Sequence, residues 1–131
     1  MILYLTCTDQ SDVFVNINRD LFLRARNDEG LTLYFINEID DAVNITGATI
    51  YFVVKNKATD SDSNAVLNKT ITSISFPNAL SGEALITLTK TETNSLLGNY
   101  LYSISIKLAD NTIRTVSEGI IAFSRDLKSS Y

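Results

Sequence analysis

Histidine and tryptophan are absent from this chain of 131 residues, and cysteine, proline and methionine occur once each. Each shortage excludes something. Without histidine there is no commonest general base, no commonest zinc ligand and no serine or cysteine triad of the usual kind. A single cysteine, Cys7, forbids a disulfide within the chain. It reads as a small buried apolar residue and fits assembly in a reducing cytosol. Without tryptophan, the best ring for a sugar platform is missing. No run approaches the ~18 apolar residues of a membrane span. The opening MILYLTCTDQ lacks a basic region and a small-residue cleavage site, so it does not read as a leader peptide. Positive charge is also short: the net charge is -4, which gives no electrostatic reason to expect nucleic acid or an anionic membrane as partner.

What is present is alternation. Leu31, Leu33 and Phe35 share one face, as do Ile50, Phe52 and Val54, and as do Ala84, Ile86 and Leu88. In NYLYSISIKL, Tyr100, Tyr102, Ile104, Ile106 and Leu108 face one way, against Ser103, Ser105 and Lys107. A strand with one face in a core and one in water reads like this. Strands are expected near 2–7, 12–17, 20–26, 31–37, 48–55, 65–74, 83–89, 99–108 and 112–124, separated by polar turns. The length suits one domain. Many short strands with regular turns point to an all-β fold, an antiparallel sandwich or barrel. Only KTETNSLLG suggests a helical turn. The last strand slips phase between Val116 and Ile121: either a β-bulge at Glu118-Gly119 restores it, or the strand is buried on both sides and loses its alternation. Leu97-Gly98-Asn99-Tyr100 has the look of a tyrosine corner, with Gly98 at positive φ, a leucine plugging the core and the Tyr100 hydroxyl bonded back to upstream backbone.

The candidate chemistry is thin. Asp60, Asp62 and Asn64 alternate as at the start of a calcium loop. An EF-hand would need glycine at the sixth place and glutamate at the twelfth, where Ala65 and Ile71 stand. The plainer reading is a polar turn whose Asp and Ser side chains bond to backbone. Asp40 and Asp41 are adjacent in a loop, and nothing places a carboxylate pair across a cleft. Asn44 and Asn68 open glycosylation sequons that matter only in a secreted eukaryotic protein. Tyr34, Tyr51 and Tyr131 are candidate exposed tyrosines, read as packing or interface residues. Arg24 and Arg26 would share a strand face and suit a rim of interface ion pairs. No catalytic set, cofactor site or metal set emerges. The inventory suits a binding or building module rather than an enzyme.

One resemblance goes further. Ile45 to Thr49 (ITGAT), Thr59 to Asp62, Ala84 to Thr89, Thr93 to Tyr100 and Thr115 to Gly119 follow one another as in an immunoglobulin-like module of tailed-bacteriophage structural proteins. The module is similar to the N-terminal part of upper-baseplate and tail-appendage proteins, and the match runs over residues 28 to 124. The resemblance implies a virion structural protein, a tail or baseplate adaptor or a capsid-decorating component, assembled in the host cytoplasm. Its implied partners are other virion proteins and copies of itself in a symmetric oligomer. It carries over no catalytic residue, and it assigns TDSDS to a strand-to-strand turn. Residues 1–26 lie ahead of the module at 27–131 and are expected to form a β-rich arm that pairs with a neighbour. Tyr4, Phe14, Arg24 and Arg26 are the candidate interface residues. Since the chain stops at Tyr131, no separate host-binding domain is expected. The competing expectation is a carbohydrate- or surface-binding sandwich module aided by calcium.

Overall fold

The computed structural model describes residues 1–6, 16–37 and 39–124. Nine strands lie among them: β1 (Ile2–Thr6), β2 (Ile17–Asn18), β3 (Leu21–Arg24), β4 (Glu29–Ile36), β5 (Thr49–Lys55), β6 (Leu67–Thr72), β7 (Glu83–Leu88), β8 (Gly98–Lys107) and β9 (Ile113–Ser124). Three single-turn 3-10 helices, Asp62–Asn64, Ser73–Ser75 and Ala79–Ser81, sit in the connections, and no α-helix occurs among the described residues. The fold is an all-β, immunoglobulin-like sandwich. Its strands bury alternate side chains, and two such faces close on one another.

The smaller sheet runs β1-β4-β7 and the larger runs β2-β9-β8-β5-β6, with β3 also on β9. Leu5, Leu31, Leu33, Phe35, Ile86 and Leu88 of the smaller sheet are fully buried. They pack against Ile50, Phe52, Ile104, Ile106, Ile121 and Phe123 of the larger. The chain crosses between sheets after β1, β3, β4, β6 and β7.

Three findings correct the expectations. First, the sandwich is not wholly antiparallel: β1 runs parallel to β4, and β2 and β3 run parallel to β9. The described part of residues 1–26 is therefore built into both sheets of this same chain. Leu3, Leu5, Leu21 and Leu23 belong to the common core, so these strands are not a free arm and the boundary at residue 26 does not show in the packing. Second, the bulge lies not at Glu118-Gly119 but two residues earlier. Ile104 pairs with Ser117 and Ser105 with Thr115, so Val116 is the extra residue, and Val116 and Ser117 are both buried. Third, β3 ends at Arg24, and Arg26 sits in the following turn at φ 65 rather than beside Arg24 on a strand.

Candidate functional site: turns and edges of the sandwich

The turn between β5 and β6 holds the acidic cluster. The Asp60 carboxylate accepts from the Lys57 backbone N–H at 3.1 Å, closing the turn on itself. The Lys55 ammonium donates to the Asp60 carbonyl at 2.8 Å and pairs with the Asp62 carboxylate at 2.8 Å. Asp62–Asn64 form the 3-10 turn, with the Asn64 N–H on the Ser61 carbonyl at 3.0 Å. The oxygens thus serve the turn and a lysine. Among the described residues no three His, Cys, Asp or Glu side chains converge as a metal would need. On the outer face of the larger sheet, a hollow of about 400 Å³ between this turn and Asn18 is lined by Val53, Lys55, Leu101, Ser103 and Glu118. Its two charged groups already have partners, Lys55 as above and Glu118 through the Asn16 amide at 2.8 Å.

Tyr100 and Gly98 form the corner that opens β8. The Leu97 N–H donates to the Tyr100 hydroxyl at 3.2 Å, Gly98 has φ 93, and Leu96 rather than Leu97 is the buried plug. Tyr100 also meets the Phe123 ring edge-on, with centroids 5.9 Å apart. Just upstream, KTETNSLLG makes one helical turn, with the Thr93 N–H on the Thr89 carbonyl at 3.1 Å. The Thr93 hydroxyl is fully buried and accepts the Arg26 N–H at 3.0 Å, tying this turn to the end of β3. Nothing local in the sequence marks Thr93 for that role.

A second knot escaped sequence reasoning altogether. The chain crosses from β2 to β3 over Gly119. A Cβ there would meet the Arg19 carbonyl oxygen at 2.4 Å, so glycine is required by the crossing rather than by the bulge. The Arg19 carbonyl accepts from the Tyr102 hydroxyl at 2.6 Å, and the Ser117 hydroxyl lies 2.9 Å from the same oxygen of Tyr102. Burial pushes the Tyr102 phenol above its ordinary pKa.

Arg19 also reaches the other sheet: its guanidinium donates to the Tyr4 carbonyl at 3.1 Å. The Thr32 N–H takes the Met1 carbonyl, so in the parallel ladder the backbone of Leu3 and Leu5 turns to β4 and that of Tyr4 turns outward. Arg19 therefore occupies an open edge group of β1. On the opposite side of the sandwich, Lys69 of β6 does the same, donating to the Thr87 carbonyl of β7 and pairing with Glu92 at 3.0 Å. Two cations of the larger sheet thus stitch the open sides to the edges of the smaller one. Bonds from the Thr89 backbone and from Lys69 hold the Glu92 carboxyl below its ordinary pKa against a contrary effect of burial. Hydrogen bonds from Thr112 likewise lower that of Asp110 in the β8–β9 turn.

The candidate interface residues are scattered over this frame. Tyr4 is 55 % exposed and stacks on Tyr34, its partner across the ladder, with centroids 5.5 Å apart and planes 22° apart. Arg24 is exposed, its N–H 3.4 Å from the Glu29 carboxylate. Arg26 is half-buried in its turn. Phe14, Cys7 and Tyr131 lie outside the described residues. Sequence reasoning passed over Phe22, which is 71 % exposed on β3.

No protein-family model and no curated protein matches the sequence. Among solved structures the chain is similar to the N-terminal domain of phage TP901-1 ORF48, with a TM-score of 0.51 and 8% identity, over 94% of this chain and 98% of that one. It also aligns with auracyanin A, a blue copper protein of Chloroflexus aurantiacus, over 95% of this chain and 100% of that one, at 12% identity and a TM-score of 0.38. That second likeness is too slight to carry an argument. The first shows a shared fold, an all-β sandwich spanning nearly the whole of both chains.

Proposed function

We propose that this chain is a non-enzymatic structural protein of a bacteriophage virion, a tail or baseplate adaptor or a capsid-decorating component. It acts through contacts with other virion proteins and with copies of itself, and it is assembled in the host cytoplasm. The observation that carries the reading is the end-to-end likeness in fold to a phage protein's N-terminal domain. The ordered motifs from Ile45 to Gly119 support it from the sequence side. The frame fits a building module: its turns are closed by their own side chains and its acidic cluster is spent on backbone and Lys55.

The Tyr4–Tyr34 pair bears on the competing sugar-binding reading. Side chains stand roughly perpendicular to a sheet. Two rings stacked across neighbouring strands therefore each cover one flat face of the other. A sugar platform needs flat faces. A pair of this kind suits cross-strand packing and a protein contact instead.

Immunogold labelling of purified phage particles tests the proposal. Label at the tail tip or along the tail places the protein in the tail or baseplate, and label over the head makes it a decoration protein. Particles without label, from cells that express the protein, would overturn the virion reading.

A further inference from the structure

The sequence of β3 and its entry residue is Asp20-Leu21-Phe22-Leu23-Arg24, which is antisymmetric in charge about Phe22. The structure places this segment on an edge. β3 pairs with β9 on one side, and among the described residues no strand lies along the other. The ladder fixes which backbone groups are open. The Arg19 N–H donates to the Glu118 carbonyl at 3.0 Å and the Ala25 N–H to the Ser124 carbonyl at 2.9 Å. Alternation then turns the backbone groups of Leu21 and Leu23 to β9 and those of Asp20, Phe22 and Arg24 outward. The side chains follow the same division: Leu21 and Leu23 are in the core, while Asp20, Phe22 and Arg24 are exposed on the outer face of the larger sheet.

We propose that β3 pairs antiparallel with β3 of a second copy of this chain about a twofold axis at Phe22, joining the two larger sheets into one. In that register Phe22 lies opposite Phe22, and Asp20 of each copy lies opposite Arg24 of the other. All three outward residues fall in hydrogen-bonded pairs, so the open N–H and C=O groups at the axis are satisfied. The two rings meet at the axis, and the two ion pairs flank them on the same face. Slipping the register by two residues breaks both ion pairs and moves the rings apart. Slipping by one turns the exposed side chains against the partner's core face. The pattern therefore selects one pairing as well as permitting it.

Two contacts within the chain adjust. The Glu29 carboxylate sits 3.4 Å from the Arg24 N–H, at the limit of a hydrogen bond, and yields that N–H to the partner's carbonyl. One Asp20 carboxylate oxygen accepts the Ile120 N–H at 3.3 Å, which leaves the other for the partner's Arg24.

The pairing deepens the self-association part of the proposed function and does not depend on the virion assignment. Sedimentation velocity of the full chain over a dilution series tests it. The wild type is expected to sediment as a dimer of the 14.5 kDa chain that dissociates on dilution. Asp20→Arg and Arg24→Asp should each weaken self-association by about tenfold or more, since each sets like charges opposite one another. An equimolar mixture of the two single variants should form a heterodimer, and the double variant Asp20→Arg/Arg24→Asp should recover the homodimer. Circular dichroism separates a folded monomer from an unfolded chain. If Asp20→Arg does not fold, Arg24→Asp and Phe22→Ser, both at exposed positions, carry the test. A wild type that stays monomeric at every concentration overturns the pairing and the self-association with it. Single variants that associate as the wild type does overturn this pairing alone and move self-association to another surface.

Discussion

The hydroxyl of Tyr102 donates to the carbonyl of Arg19 at 2.6 Å, across 83 residues of sequence. That bond pins the crossing between β2 and β3 over β9, while the Arg19 side chain reaches to the edge of β1. One residue thus links the larger sheet to the smaller, and its backbone is held by a buried phenol.

Replacing Tyr102 by phenylalanine should cost about 1–3 kcal/mol, because the Ser117 hydroxyl and the Arg19 carbonyl lose a partner in a buried place. Tyr100→Phe removes a single bond from an exposed N–H and should cost about 0.5–1.5 kcal/mol. Urea denaturation of both variants checks the order, and a Tyr100 effect larger than that of Tyr102 would contradict it.

The two positive-φ glycines of β8 and β9 should behave differently. At Gly98 a Cβ finds no atom within 4 Å, so Gly98→Ala should cost only the left-handed conformation, about 1–2 kcal/mol. At Gly119 the Cβ meets the Arg19 carbonyl, and backbone cannot step aside cheaply. Gly119→Ala should cost about 3 kcal/mol or leave little folded protein. Thermal melts of the pair give the comparison.

Glu92 sets a pH dependence. Its folded pKa lies below the ordinary 4.5, so the folded state binds its proton less readily than the unfolded chain does. The stability it contributes is present above that ordinary value and is lost as pH falls through the lower folded value. The melting temperature of wild type should therefore exceed that of Glu92→Gln at neutral pH, and the gap should close on acidification below about pH 4. A gap that is constant from pH 7 to pH 3 would contradict this.

The turn at Asp60 and Asp62 makes a prediction about calcium. A bound ion stabilises the native state by mass action. With both carboxylates spent on the turn and on Lys55, millimolar calcium should leave the melting temperature where EDTA leaves it. An upward shift of several degrees that Asp62→Asn abolishes would install a calcium site here.

Alternation along the chain put β5, β7 and β8 within one residue of their ends, because each buries every second side chain, and β9 ends as expected despite its slip at Val116. The end of β3 was not legible, since Arg26 turns the chain only once its N–H meets Thr93, a residue 67 positions away. The parallel pairing of β1 and β3 is equally silent in sequence: an edge strand reads alike whichever way its neighbour runs. The Glu118-Gly119 signal was real but misassigned. Glycine stood there for the close approach of Arg19, while the bulge fell on Val116, beside a serine whose burial nothing in the sequence marks. Among site residues, the polar turn at 56–64 and the corner at Tyr100 rest on short-range bonds and could be reasoned from spacing. The knot of Arg19, Tyr102 and Ser117, and the exposed edge at Phe22, depend on which strands meet.

The register that sets Leu21 beside Ile121 spans 100 residues. A chain emerging from the ribosome makes β3 early and β9 late, so Leu21 and Leu23 have nowhere to dock while the middle of the protein is being synthesised. The hairpin of β5 with β6 can form at once, and β8 can join it on arrival. The sandwich closes only when β9 has followed. Closure of such distant contacts is slow compared with local pairing. During that interval Leu21 and Leu23 are among the apolar side chains left without their core partners.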